Sequence, residues 1–245
     1  MTKKTIQIDN LTLKYGENVI IDSVSFTSMP GDIIGIIGEN GAGKTTLFKA
    51  LVGLKNISSG EVSSFGTSLK IDEAKYKQNI GFVPDSPYIL EMLTGYEFLK
   101  FISSMWSIKT NWEEIDSLSI KLGLHDQLDE YLINYSFGMK KKISILTAMI
   151  HHPKIIILDE PLNGLDFVSA TNVLKFIEYF AQKGGTVIYS THQLGILAKN
   201  VNRLFLLKEN KIIDVPDIDK MLKESNSENI EEYYINNMSD GEYEK

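Results

Sequence analysis

The sequence predicts an α/β fold: a mostly parallel sheet with helices on both faces, an antiparallel β subdomain at the N-terminal end, and an inserted α-helical subdomain. Three observations predict it. Residues 5–28 alternate apolar and polar in two runs separated by Gly16-Glu17-Asn18, as a hairpin requires. Short apolar runs alternate with helical patterns through the second half, the mark of parallel strands joined by crossover helices. Between these parts lies a helical, aromatic-rich stretch.

Taken in order, residues 5–15 and 19–28 read as strands. Pro30-Gly31 turns the chain into a strand over 32–38 that is apolar enough to be buried on both faces. The glycine-rich segment 38–43 opens a helix over 44–54 that stops near Gly53, and a short strand pair follows around 60–65. From 88 to about 132 the pattern is helical, with Tyr96, Phe98, Phe101, Trp106 and Trp112. Most of these aromatics are expected to form the subdomain's own core. Ser136 is placed to cap a helix over 137–150. A strand over 155–159, a helix over 168–183, a strand over 186–191 and a hairpin around Glu209-Asn210 complete the pattern.

The expected organisation is one domain over 1–216, with the helical subdomain at about 86–150, and an acidic helical tail over 217–245. From 225 onward Glu228, Glu231, Glu232, Asp240, Glu242 and Glu244 face Lys245 alone, which reads as a solvated helix and a frayed end.

Composition narrows the function. The chain of 245 residues has no cysteine, which removes disulfides, thiolate metal sites and cysteine nucleophiles. Its net charge of −7 argues against a broad basic surface for nucleic acid, and no nucleic-acid partner is expected. No run approaches the roughly 18 apolar residues of a membrane helix. The N-terminus runs straight into strand-like alternation without a signal-peptide core. A cytoplasmic location is therefore expected, with any work at a membrane done through a partner.

Gly38-Glu39-Asn40-Gly41-Ala42-Gly43-Lys44-Thr45, followed by Thr46, matches G-x-x-x-x-G-K-[ST]. A triphosphate needs many donors converging on one point, and side chains alone cannot crowd there. Glycines let successive backbone amides curl into an anion nest, and the helix that follows adds its positive end. Lys44 is then expected to bridge the terminal phosphates, and the Thr45 hydroxyl to ligate Mg²⁺. A chance glycine-rich turn would not also need a buried strand before it and an amphipathic helix after it. This element predicts a P-loop nucleotide-binding core.

Ile155-Ile156-Ile157-Leu158 leads into Asp159-Glu160, an apolar strand ending in two carboxylates. Strand ends in a parallel sheet are where ligands collect. Asp159 suits the magnesium shell, and Glu160 suits acceptance of a proton from an attacking water. His192, after the strand over 186–191, emerges at the same edge as a γ-phosphate contact. Tyr15, at an early strand end, is a candidate to stack on adenine. Ordinary alternatives stand beside both: a strand-end histidine with a backbone partner, and surface packing for the tyrosine.

At this point the residues resemble the ATP-binding-cassette (ABC) ATPases over nearly the whole chain to about residue 214. Tyr135-Ser136-Phe137-Gly138-Met139-Lys140, just before the acidic strand, is similar to that family's signature, usually written L-S-G-G-Q. The resemblance implies that Ser136, Phe137, Gly138 and Met139 close over ATP held by the phosphate loop of a second subunit. It also implies adenine stacking for Tyr15, catalytic roles for Lys44, Glu160 and His192, and a place at the dimer interface for Asp166 in Asn163-Gly164-Leu165-Asp166. Phe137 and Met139 depart from the signature, and Asp85 in Gly81-Phe82-Val83-Pro84-Asp85 stands where the family usually has glutamine. Asp85 is carried as a further magnesium candidate, because a carboxylate binds Mg²⁺ but repels a γ-phosphate.

The function so implied is an ATP-hydrolysing subunit, using ATP and Mg²⁺, that drives a membrane transporter through ATP-driven dimerisation. Its partners would be an integral membrane permease and a second ATP-binding subunit, identical or similar. Similarity to single-cassette subunits with a signature near Y-S-x-G-M-K implies export. The alternative is a soluble ABC ATPase of a cytosolic protein machine, such as one for iron–sulfur cluster assembly. About a hundred residues without sustained heptads separate phosphate loop and signature, which disfavours a chromosome or DNA-repair ATPase.

Overall fold

A computed structural model describes residues 4–192, 194–215 and 217–237. The predicted tail residues Asp240, Glu242, Glu244 and Lys245 lie outside them. The chain begins with strands β1 (Ile6–Tyr15) and β2 (Asn18–Thr27), paired antiparallel around a two-residue turn, with Asn18 already opposite Tyr15. Strand β3 (Ile33–Gly38) runs into helix α1 (Lys44–Leu51). Helix α1 ends earlier than the periodicity suggests, because Gly53 takes a left-handed φ of 71°.

Strands β4 (Ser59–Ser64) and β5 (Thr67–Ser68) then extend the first sheet in the order β2-β1-β4-β5. Helix α2 (Glu73–Lys77) and strand β6 (Ile80–Val83) follow; the sequence reading assigns neither. Residues 88–94 are not helical: the capping box of Thr94 and Glu97 delays helix α3 (Gly95–Met105), so the expected helical stretch starts later. Asn111 caps α4 (Trp112–Leu122) and Ser136 caps α5 (Phe137–Met149). Phe98 is buried as expected and Tyr96 and Trp106 pack against the core, but Phe101 and Trp112 remain partly exposed.

Strand β7 (Ile155–Leu158), helix α6 (Phe167–Gln182), strand β8 (Thr186–Ser190), helix α7 (Leu194–Asn200) and the hairpin β9 (Arg203–Lys208) and β10 (Lys211–Val215) complete a second sheet of order β10-β9-β3-β8-β7-β6. All its pairs are parallel except β9 with β10. Their turn, Glu209-Asn210, has both residues at positive φ, as a tight hairpin requires.

The period-2 rule explains why the central strands are apolar throughout. In β7, Ile155 and Ile157 join one core with α1 and the antiparallel sheet, while Ile156 and Leu158 join a second core with α3 to α6. Helices α8 (Ile218–Glu224) and α9 (Ile230–Asn237) close the described chain. Here the expectation of a solvated tail is corrected: Ile230 is buried, and Tyr233 and Tyr234 pack against the second core. The apolar residues of α9 give it a face to bury despite its acids.

Candidate functional site

Strands β3, β7 and β8 end at one edge of the sheet, and the predicted chemistry gathers there. A cavity of about 240 Å³ is lined by Asn40, Gly41, Gly43, Lys44, Thr45, Thr46, Asp85, Asp159, Glu160 and His192. A larger cavity of about 570 Å³ lies at the opposite end of the strands, against Pro30, Pro153 and Gly184. The smaller one is the candidate, because it lies at the carboxyl strand ends and collects the loop, the acids and the histidine.

The loop has the backbone that the motif demands. Gly41 and Gly43 have φ of 84° and 108°, and a Cβ on Gly43 would stand 2.7 Å from Ile20 Cγ2. Helix α1 opens immediately after, so the amides of Lys44, Thr45 and Thr46 have no intrahelical acceptor and form a positive end. The Lys44 ammonium donates to the carbonyls of Gly38 at 2.6 Å and Glu39 at 3.0 Å, which arches its stem across the loop. Burial lowers its pKa, opposed by Glu160 and Asp159. A buried ammonium whose main partners are neutral carbonyls is well suited to an incoming anion.

The carboxylates are held from below. Thr45 Oγ1 donates to Asp159 Oδ2 at 2.7 Å, and Ser190 Oγ donates to Asp159 Oδ1 at 2.8 Å. Ser190 Oγ also accepts from the Glu160 amide at 3.0 Å, so β8 anchors both acids. Glu160 sits at a φ of 47°, left-handed for a residue with a Cβ, which turns its side chain away from the line of β7. Its Oε2 accepts from the His192 amide at 3.2 Å. Its Oε1 is 3.0 Å from His192 Nε2 and shielded from solvent, yet receives no hydrogen bond of good geometry. Burial raises the Glu160 pKa, with His192 and Lys44 pulling the other way. A raised carboxyl with a spare acceptor oxygen has the properties of a general base.

The residues present fit Mg²⁺. The Thr45 hydroxyl and Asp159 carboxylate offer hard oxygens side by side. Among the described residues no cluster of three or more His, Asp or Glu forms a cage of its own. That suits an ion that keeps waters and phosphate oxygens in its shell. Asp85 lines the same cavity, but its Oδ1 is bonded by Lys141 Nζ at 3.1 Å and Asn163 Nδ2 at 3.4 Å.

Other predicted residues stand apart from this cavity. The Tyr15 ring is about half exposed at the end of β1 and carries the Lys55 ammonium 3.6 Å above its centroid. Ser136 Oγ accepts from the Met139 amide at 3.2 Å as an ordinary N-cap. Phe137 and Gly138 pack against the loop 163–166, with Phe137 carbons within 3 Å of where a Gly164 Cβ would stand and Leu165 Cδ2 3.1 Å from where a Gly138 Cβ would stand. The Asp166 carboxylate caps α6, accepting from the Ser169 amide at 2.9 Å and Ser169 Oγ at 2.8 Å, and these bonds lower its pKa.

Two residues beside the site were not singled out in the sequence. Lys141, in the run Lys140-Lys141-Lys142, is fully buried under the carboxylates. Tyr234 of α9 lines two cavities beside Glu39 and Asn40. Lys141 lies one residue beyond the signature-like stretch, and its burial follows from the enclosure of α5 rather than from any motif.

Comparison with known proteins agrees with this geometry. The family model described as ABC transporter matches residues 21–163. An uncharacterized ABC transporter ATP-binding protein of Bacillus subtilis, YhcH, is 32% identical over 95% of this chain and 75% of its own length. The lantibiotic transport ATP-binding protein SrtF of Streptococcus pyogenes is 31% identical over 94% of this chain and 96% of its own. A solved structure of an ATP-binding subunit of an ABC transporter superposes with a TM-score of 0.85 at 24% identity, covering 95% of this chain and 98% of that one, which supports the fold. The loop at Lys44, the paired acids at 159 and 160 and these likenesses converge: the chain belongs to the ABC transporter family, as an ATP-binding subunit of a transport system.

Proposed function

We propose that this chain hydrolyses ATP at the carboxyl ends of β3, β7 and β8 and so drives a membrane exporter. The observation that supports it is the Glu160 carboxylate, with a shielded and unsatisfied Oε1 on the wall of the cavity that holds Lys44, Thr45 and Asp159. Lys44 and the amides of residues 41–46 bind the phosphates. Glu160 takes a proton from the attacking water as the new bond to the γ-phosphorus forms and the bond to the β-phosphate bridging oxygen breaks. His192, at both oxygens of that carboxylate, fixes its direction. Mg²⁺ held by Thr45 and Asp159 would neutralise charge on the phosphates.

The functional unit we propose is a pair of cassettes, this chain with itself or with a similar subunit, docked on an integral membrane permease at the cytoplasmic face. Within it, residues 1–216 form the cassette, 86–150 its helical subdomain, and 217–245 the C-terminal tail, with α8 and α9 its described helices. Ser136 is exposed at the positive end of α5 and does not line the cavity of the chain's own phosphate loop, which supports its use on a partner's ATP. No helix among the described residues is long and apolar enough to cross a membrane, so passage of cargo falls to the permease. Likeness to a subunit named for lantibiotic transport supports an exporter of peptide-like or antibiotic cargo.

The test is Glu160→Gln. The variant should keep ATP, lose about 100-fold or more in turnover, and accumulate as an ATP-bound dimer on size-exclusion chromatography with light scattering. Undiminished turnover would remove Glu160 from the chemistry, and a monomer at saturating ATP would remove the dimer.

A further inference from the structure

Lys141 is fully buried, and its ammonium donates to the Glu160 carbonyl at 2.8 Å, to Asp85 Oδ1 at 3.1 Å and to the Asp159 carbonyl at 3.5 Å. One cation on α5 thus gathers the segment after β6 and the turn after β7. Its neighbours in the lysine run do nothing comparable: Lys140 reaches the exposed Glu91 at 2.6 Å, and Lys142 points toward the Gly123 carbonyl at 3.4 Å. Burial lowers the Lys141 pKa, and Asp85 foremost, then Asp159 and Glu160, oppose that shift.

The charge arrangement gives this lysine a role. Asp85, Asp159 and Glu160 all line the cavity. Three carboxylates around a triphosphate would repel it, and only Lys44 supplies a lysine cation from within the phosphate loop. Asp159 has its hydroxyl partners and Glu160 has His192. For Asp85 the cationic partner is Lys141, with the Asn163 amide beside it. The Asp85 side chain is 44% exposed, whereas that of Lys141 is 0% exposed, so the ion pair is anchored from the protein side and the carboxylate is drawn to the wall.

We propose that Lys141 is a positioning residue for the hydrolysis centre: it neutralises Asp85 and holds it off the γ-phosphate, and through two carbonyls it fixes the turn that bears Asp159 and Glu160. This rests on the ATP-hydrolysing reading above. A purely structural Lys141 would tie α5 to the sheet without discriminating between nucleotides. A positioning Lys141 discriminates, because Asp85 opposes the third phosphate more than the first two.

The experiment measures binding of MgADP and of non-hydrolysable MgAMP-PNP by calorimetry on the full chain. Lys141→Gln should weaken MgAMP-PNP about tenfold or more while changing MgADP by less than about threefold. Adding Asp85→Asn should restore the ratio of the two affinities to near the wild-type value. Equal losses for both nucleotides, no loss, or a double variant no better than the single one would overturn the proposal. Should Lys141→Gln alone fail to fold, Asp85→Asn is compared with the double variant. With no carboxylate to neutralise, removing the lysine should then leave the ratio unchanged, and a tenfold fall would overturn the proposal. The readout is binding, so a failure of Glu160 as general base would leave the ratio intact, and the two readings fall separately.

Discussion

His192 stands against both oxygens of the Glu160 carboxylate: its backbone amide donates to Oε2 at 3.2 Å, and its Nε2 lies 3.0 Å from Oε1 without a hydrogen bond of good geometry. Replacing the ring leaves the amide bond to Oε2 in place and removes the group that flanks Oε1. His192→Ala should therefore lower turnover by roughly 10- to 100-fold, less than Glu160→Gln, with ATP affinity nearly unchanged. Steady-state kinetics beside nucleotide titration distinguishes this from a binding defect.

Lys44 is the phosphate-loop cation, buried and bonded to two neutral carbonyls. Lys44→Ala should weaken MgATP by at least about tenfold, since it removes a charge-assisted contact and leaves Asp159 and Glu160 less balanced. Tight and productive binding by the variant, measured by calorimetry and turnover, would contradict the loop assignment.

Gly43 has a φ of 108° and no room for a side chain, with Ile20 Cγ2 2.7 Å from an ideal Cβ. Gly43→Ala should lower stability by about 1–3 kcal/mol and abolish nucleotide binding. Denaturant titration reads the first effect, and the second should persist at temperatures where the variant is folded.

Ser136 caps α5 through the Met139 amide and is exposed. Ser136→Ala should cost about 1 kcal/mol of stability, the usual value of a cap. In the paired-subunit reading it should also cut turnover sharply while leaving ATP affinity of the monomer intact. A loss of stability with full turnover would confine Ser136 to its capping role.

His151 stacks on Trp106 at 3.9 Å and 10°, and its Nε2 lies 3.0 Å from the Ile80 carbonyl. Burial lowers its pKa below the ordinary 6.5, opposed by the Ile80 carbonyl, so the fold prefers the neutral ring. A base with a depressed folded pKa contributes stability above its unfolded pKa and loses it as pH falls below about 6.5. Measured by urea titration from pH 7.5 to 5, the wild type should lose stability relative to His151→Gln. A difference independent of pH would show that the ring titrates normally.

Much of this site was legible because its chemistry dictates residue types. Gly41 and Gly43 need positive φ, Thr45 and Asp159 need hard oxygens, and Ser136 and Asp166 sit where helices begin. What escaped was set by contacts distant in sequence. Strand β6 has only four residues and includes Gly81, whose Cβ would stand 2.5 Å from the Ala148 carbonyl oxygen. That spacing serves the packing of α5, and no local period announces it. Lys141 is buried because α5 is enclosed by the sheet and by α3 and α4, a fact of topology that three consecutive lysines conceal. The acids of α9 likewise hid not the helix, which was expected, but its packing, with Ile230 1% exposed.

The left-handed backbone at Glu160 has an evolutionary corollary. Glycine would relax that conformation and remove a buried acid, so Glu160→Gly should melt no lower than the wild type in a thermal scan. The same replacement deletes the proposed base. In the proposed reaction, selection for robustness and selection for turnover therefore pull position 160 in opposite directions.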